Sequence, residues 1–252
     1  MASKLADLVN YTEKLLVHKD FPDYPGALNG LQIENDGTLT RIAAAVDANL
    51  LSIGEAVAAG ADLLVVHHGI AWTPLYPITG LRYQWLSLAL ENNLAIYSSH
   101  LPLDAHPSLG NNVLLAQALG LSKTKPFFLE KGIHLGHQAS VKMDRENLLQ
   151  RMQKATGTKP LLLPFGPKNV KRIGIVTGGA GNHLAQAAAE GVDTFITGEG
   201  NHWTFTVAQE LEINVIYGGH YATETFGVKA LAEHLGKKFK LPWSFIDMPS
   251  GL

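Results

Sequence analysis

Apolar residues along the chain fall into uninterrupted runs of strand length, separated by stretches with a helical period. The run at 62–69, DLLVVHHG, is the most pronounced. Its four large aliphatics at 63–66 suit a strand covered on both faces, and they lead straight into two adjacent imidazoles, His67 and His68, and a glycine. Ahead of it, 42–46 reads as a first strand ended by Asp47, 50–59 as a helix, and Gly60 as that helix's C′ stop. Together they predict a βαβ unit. A helix around 82–92 and a strand at 94–98 continue it, and this strand too runs into ionisable residues, His100 and Asp104. Upstream, Ser3 is placed as N-cap of a helix whose Leu5, Leu8, Val9, Leu15 and Leu16 share a face, and the two prolines and glycine of 21–26 mark a loop.

Residues 126–168 interrupt the pattern and read as a connector, with a strand at 138–143, a helix from Asp144 and a turn through Pro164 and Pro167. The pattern then begins again. At a constant offset of 131, Ala56 matches Ala187, Ala58 matches Ala189, Gly60 matches Gly191, Asp62 matches Asp193, Gly69 matches Gly200 and Trp72 matches Trp203. At an offset of 120, IYSSH at 96–100 is answered by IYGGH at 216–220, so that His100 with Asp104 and His220 with Glu224 share one His-x-x-x-acid spacing. The expectation is a weak internal duplication in an α/β protein: two similar lobes, 1–125 and 126–252, facing each other.

Composition narrows the chemistry. The 252 residues are 46% hydrophobic and 17% charged with a formal net charge of −2, which argues against general, sequence-independent nucleic-acid binding. Without cysteine there is neither a disulfide nor a thiolate site, so any metal must be held by His, Asp or Glu, a set open to Fe, Mn, Zn, Co, Ni or Mg. No apolar stretch approaches membrane-spanning length, and the expected location is cytoplasmic.

Neighbouring strand residues point to opposite faces, so His67 and His68 favour two ions, one per imidazole. On a helix, His220 and Glu224 lie one turn apart and converge on one ion or bridge two. Singly, these residues also fit ordinary roles, as buried hydrogen-bonding histidines or a surface ion pair. Gathered at equivalent strand ends, they point to a metal site in a cleft between the lobes. His67, His68, Asp104, His220 and Glu224 are five groups; with Glu224 bridging, each of two ions receives three protein ligands and keeps positions open for water or substrate, the pattern of a catalytic centre. Such a pocket stays cationic and attracts small anions. Glu199, His202 and His100 are candidates for proton transfer or substrate positioning, with hydrogen bonding to the ligands as the alternative. The segment 177–182, TGGAGN, resembles a dinucleotide-binding loop but has Leu184 where the third glycine is required, and reads as a tight strand-to-helix turn.

The motifs at 29–33 (NGLQI), 45–47 (AVD), 62–69, 99–104 (SHLPLD), 197–199 (TGE) and 219–224 (GHYATE) together resemble the NIF3 family, also called GTP cyclohydrolase 1 type 2 or DUF34, and its YbgI-like members in particular. The resemblance covers nearly the whole chain. It implies a NIF3-like fold of two α/β lobes and a dinuclear centre with His68 and Asp104 on one ion, His67 and His220 on the other, and Glu224 bridging. It also implies a toroidal homohexamer. The long central insertion of some relatives is absent. The expected activity is hydrolysis of a nucleotide (GTP-like) or other small anionic substrate through metal-activated water. The competing expectation is a non-catalytic metal-binding regulatory or scaffold protein acting through partners. An oxygen-using iron enzyme is compatible with the same ligands.

Overall fold

The computed structural model describes residues 3–71 and 77–252, so that Trp72 of the Trp72/Trp203 match and the expected loop proline Pro74 lie outside the described residues. Contacts gather the chain into two compact units, Met1–Leu103 with Gly227–Met248, and Asp104–Phe226 with Pro249–Leu252.

The first unit is built on a five-stranded sheet in the order Trp243–Phe245, Ile42–Asp47, Leu63–His68, Ala95–Ser98, Gly30–Ile33. The first four strands run parallel, and Gly30–Ile33 closes the edge antiparallel to Ala95–Ser98. Leu63, Leu64, Val65 and Val66 are fully buried, as a strand covered on both faces requires. Leu64 and Val66 pack with Ile53, Ala56, Ala89 and Ile96. Helix Leu50–Ala58 starts with a capping box: Asn49 accepts from the Leu51 and Ser52 amides, and the Ser52 hydroxyl accepts from the Asn49 amide. Gly60, at φ +68°, turns the chain out of it. The first helix differs from expectation at its start. It spans Leu5–Leu16 with Lys4 at the N-cap, because Ser3–Lys4 pairs with Thr38–Leu39 and the Ser3 hydroxyl donates to the Phe239 carbonyl instead of capping.

The second unit holds a six-stranded sheet ordered Thr124–Glu130, Ile133–Asp144, Asn169–Ile175, Thr194–Thr197, Asn214–Tyr217, Leu161–Pro164. Asn169–Ile175, Thr194–Thr197 and Asn214–Tyr217 are parallel, and the outer strands are antiparallel to their neighbours. The segment expected to be a connector therefore supplies most of three of the six strands. Its longest strand, Ile133–Asp144, shows no regular alternation of buried and exposed residues, which is why its sequence pattern is weak. Along the inner strands alternation is clear: Phe195 and Val215 face a cluster with Phe127 and Leu184, while Ile196 and Ile216 face Leu148 and Met152.

One local arrangement recurs. Asp62, just before strand Leu63–His68, accepts from the Thr40 and Arg41 amides, its own amide donates to the Arg41 carbonyl, and its carbonyl accepts from Ala95. Asp193, just before Thr194–Thr197, accepts from the Lys171 and Arg172 amides, donates to the Arg172 carbonyl and accepts from Asn214. In both units the aspartate ties the starts of three parallel strands together.

Candidate metal centre

In the first unit, chemistry gathers at the carboxyl ends of the parallel strands, where α/β sheets bind ligands. His67 is fully buried and His68 partly so. Their ring centroids are 4.7 Å apart. The pleat sets the side from which each Cβ leaves, but at the strand's end the long side chains converge. His100, following strand Ala95–Ser98, joins them with ring centroids 5.0 Å from His67 and 5.6 Å from His68. A ring nitrogen from each of the three lies within 4.8 Å of the others, a grouping of a kind that holds a metal ion.

The Nδ1 atom of each ring is anchored to oxygen. His67 Nδ1 lies 2.9 Å from the Ser99 carbonyl, His68 Nδ1 2.7 Å from Asp47 and His100 Nδ1 2.8 Å from Asp23. A carbonyl or carboxylate oxygen only accepts, so the proton of each neutral ring sits on Nδ1 and the lone pair on Nε2. Asp23 is itself tightly held, accepting from Asn29, the Tyr24 amide and the Leu101 amide. Burial acts to raise its pKa, but His100, Asn29 and the Tyr24 amide together hold it below the usual carboxylate range. Behind His67, buried His18 bonds the Ser99 hydroxyl at 2.9 Å and the Tyr97 hydroxyl at 3.2 Å. Desolvation drops His18 to about 4, against a smaller opposing pull from Asp23.

The second unit carries the carboxylates. Asp104, at the end of the short helix Leu101–Asp104, is 7% exposed and accepts from Asn111 at 2.7 Å and from the Thr177 hydroxyl at 3.4 Å. Helix His220–Phe239 begins directly after a Gly218–Gly219 turn, which brings His220 and Glu224 into its first turns. His220 Nε2 is 3.1 Å from Glu224 Oε2, and its Nδ1 is 2.8 Å from Glu199 Oε1. Burial lowers the imidazole, but Glu224 and then Glu199 outweigh it and push His220 up to about 9. Glu224 is 3% exposed. Glu199 therefore stands as the oxygen that orients His220, while His202 is exposed, its carbonyl accepting from the Phe205 amide.

Several residues that build these groups have no chemical signature of their own in the sequence. Asp23, Asp47 and Ser99 orient imidazoles, and only Asp47 and Ser99 fall within the family-like motifs. Gly178, at φ +69°, lies against the site: a Cβ there would run into Glu224 Oε1 and approach His220 Nε2. Its signal was the glycine pair at 178–179, whose tight turn the structure shows between strand Asn169–Ile175 and helix Leu184–Ala189. The fit to divalent ions rests on the donors themselves: imidazoles fixed by outer oxygens and two buried carboxylates are the nitrogen and oxygen ligands such ions take.

Comparisons with known proteins agree over the whole chain. The family model described as Duf34/NIF3 (NGG1p interacting factor 3) matches residues 3–250. A Deinococcus radiodurans protein called GTP cyclohydrolase 1 type 2 homolog is 40% identical over 248 residues, covering 98% of this chain and 94% of its own. A Pseudomonas aeruginosa protein of the same name is 38% identical over 256 residues, with 99% of each chain covered. Among solved structures, TTHA1606 from Thermus thermophilus superposes with a TM-score of 0.92 at 38% identity, over 99% of this chain and 100% of that one. Reduced HcgD from Methanocaldococcus jannaschii does so at 0.86 and 27% identity, over 98% and 99%.

Proposed function

The chain belongs to the Duf34/NIF3 family, with the mixed α/β fold of its structural neighbours, and from that premise we propose that it is a dinuclear, divalent-metal-dependent hydrolase. The proposed ligands are His68 and Asp104 on one ion, His67 and His220 on the other, and Glu224 bridging. The observation that carries this reading is the anchoring of His67, His68 and His220 through Nδ1 to oxygen, which leaves Nε2 as the metal-facing nitrogen of each ring. Two divalent ions on these residues supply Lewis acidity and an activated water.

The protein's own residues account for the rest of the proposed work. Ser99, Asp47 and Glu199 hold the imidazoles in one tautomer and orientation. Asn111 and Thr177 hold Asp104. Glu199 and exposed His202 are assigned proton transfer or substrate positioning, Glu199 in addition to holding His220. The relatives' name motivates a nucleotide, GTP-like, or another small anionic compound as substrate. The recurring aspartate arrangement supports an origin of the two units by internal duplication, and the family resemblance motivates a hexamer. No helix among the described residues is long and apolar enough to cross a membrane.

A screen of nucleotides and phosphoesters with metal-replete protein tests the hydrolase. The expected result is turnover that chelation abolishes and metal restores. Stoichiometric metal without turnover on any member would favour the scaffold reading. Light scattering that returned a 27.2 kDa particle at micromolar concentration would remove the hexamer.

A further inference from the structure

The turn at 177–179 takes no part in the activity proposed above, yet buried Asn112, Thr197 and Thr223, from three other elements or their ends, all hydrogen-bond to its backbone. Resting on the dinuclear reading, we propose that Asn112 and Thr223 are positioning residues: through Thr177 and Gly178 they hold the Asp104 side and the His220–Glu224 side of the centre in one register, so that the two ions bind as a coupled pair.

On one side stands Asp104. Asn112, in helix Asn111–Ala118, uses its whole amide: Nδ2 donates to the Asp104 carbonyl at 3.2 Å and to the Leu135 carbonyl at 2.8 Å, and Oδ1 accepts from the Thr177 amide at 2.7 Å. The Thr177 hydroxyl reaches the Asp104 carboxylate at 3.4 Å. Asp104 is thus tied to the turn through its main chain and its side chain.

On the other side stands the start of helix His220–Phe239. The Gly178 amide donates to Thr223 Oγ1 at 3.1 Å, and that hydroxyl donates to the His220 carbonyl at 3.0 Å. The Gly178 carbonyl accepts from the Gly198 amide at 2.8 Å, the Glu199 amide at 3.0 Å and the Thr197 hydroxyl at 3.0 Å. A single residue of the turn therefore grips the segments that carry Glu199, His220 and Glu224. The fit leaves little slack, since a Cβ on Gly198 would run into the Gly178 carbonyl, the His220 backbone and Thr223 Oγ1. The hydrogen bonds of Asn112 and Thr223 go to backbone atoms, so what they contribute to the centre is position. In a buried network of this kind, losing one member leaves its partners unpaired, and the effects of neighbouring losses do not add.

The test titrates Co²⁺ into metal-free protein and follows calorimetric heat and visible d–d absorption in the parent, Thr223→Val, Thr223→Ser, Asn112→Ala and the Thr223→Val/Asn112→Ala double variant. Thr223→Val keeps the shape without the hydroxyl, and is expected to weaken both cobalt equivalents within the roughly 10–100-fold that losing an outer partner costs. Thr223→Ser restores the hydroxyl and is expected to return parental affinity and absorption. Asn112→Ala is expected to weaken both equivalents as well, although its bonds lie on the Asp104 side. The double variant should bind no more weakly than the weaker single one, because either loss already frees the turn. Parental affinity in Thr223→Val, a Thr223→Ser as weak as Thr223→Val, an Asn112→Ala that weakens one equivalent alone, or a double variant whose loss is the product of the single losses overturns the proposal while the dinuclear reading stands. Should Asn112→Ala not fold, the two Thr223 variants decide by themselves. A parent that binds fewer than two equivalents overturns both.

Discussion

In the first unit the carboxyl ends of the second and third of three parallel strands carry nitrogen: His67 and His68 end the middle strand and His100 follows the third, each with Nδ1 on an oxygen. In the second unit Glu199 follows the middle strand and His220 the third, and the unit also holds the buried carboxylates Asp104 and Glu224. The strand plan is shared down to the aspartate that ties the strand starts, yet the donors differ. A common scaffold thus fixes where functional side chains emerge, while the residues at those points decide the chemistry.

The sharpest way to break the comparison is pH, because the two units respond with opposite sign. His18 is held near 4 when folded and returns to 6.5 when unfolded. Its contribution is therefore complete above pH 6.5 and lost as pH falls through about 4, a loss of about 3 kcal/mol. His220 in metal-free protein is held near 9, so its contribution is complete below 6.5 and lost as pH rises through about 9. Denaturant titrations in the presence of chelator should show the acid loss shrink in His18→Gln and the alkaline loss shrink in His220→Gln. The same pH profile in parent and variants would contradict these assignments.

The shared plan is tested next. Asp62→Ala and Asp193→Ala should destabilise by similar amounts, about 2 kcal/mol each, since each carboxylate accepts from two backbone amides at a strand start. A large cost at one and none at the other would break the equivalence. Gly178→Ala comes third: positive φ alone costs about 1 kcal/mol, and the new methyl displaces Glu224, so metal affinity should fall together with stability. Unchanged affinity would separate Gly178 from the centre. Smallest is Glu199→Gln. Glu199 orients His220 from a half-exposed position, so calorimetry should find metal binding weakened only about tenfold. His202→Asn should leave it unchanged.

What could be read from the sequence depended on how strongly burial shapes pattern. Leu63 to Val66 announce a strand because both faces are covered, and Gly60 announces a helix end because only glycine takes that turn readily. The strand Ile133–Asp144 announces little, since its side chains are neither continuously buried nor regularly alternating. Nor does periodicity show that Gly227–Met248 packs with the first unit, a long-range outcome of tertiary contacts. At the site, His67, His68, His220 and Glu224 were visible from residue type and spacing. Asp23 was not: an aspartate in a proline-rich loop looks like turn chemistry until the fold carries it to a histidine 77 residues away.

The central claim is a metal centre built on these side chains, and elemental analysis of protein purified without chelator tests it most directly. The expected result is about two transition-metal equivalents per chain in the parent, and close to none in a folded His67→Ala/His68→Ala double variant. A parent without transition metal, or a folded double variant that keeps the parental content, would contradict the account.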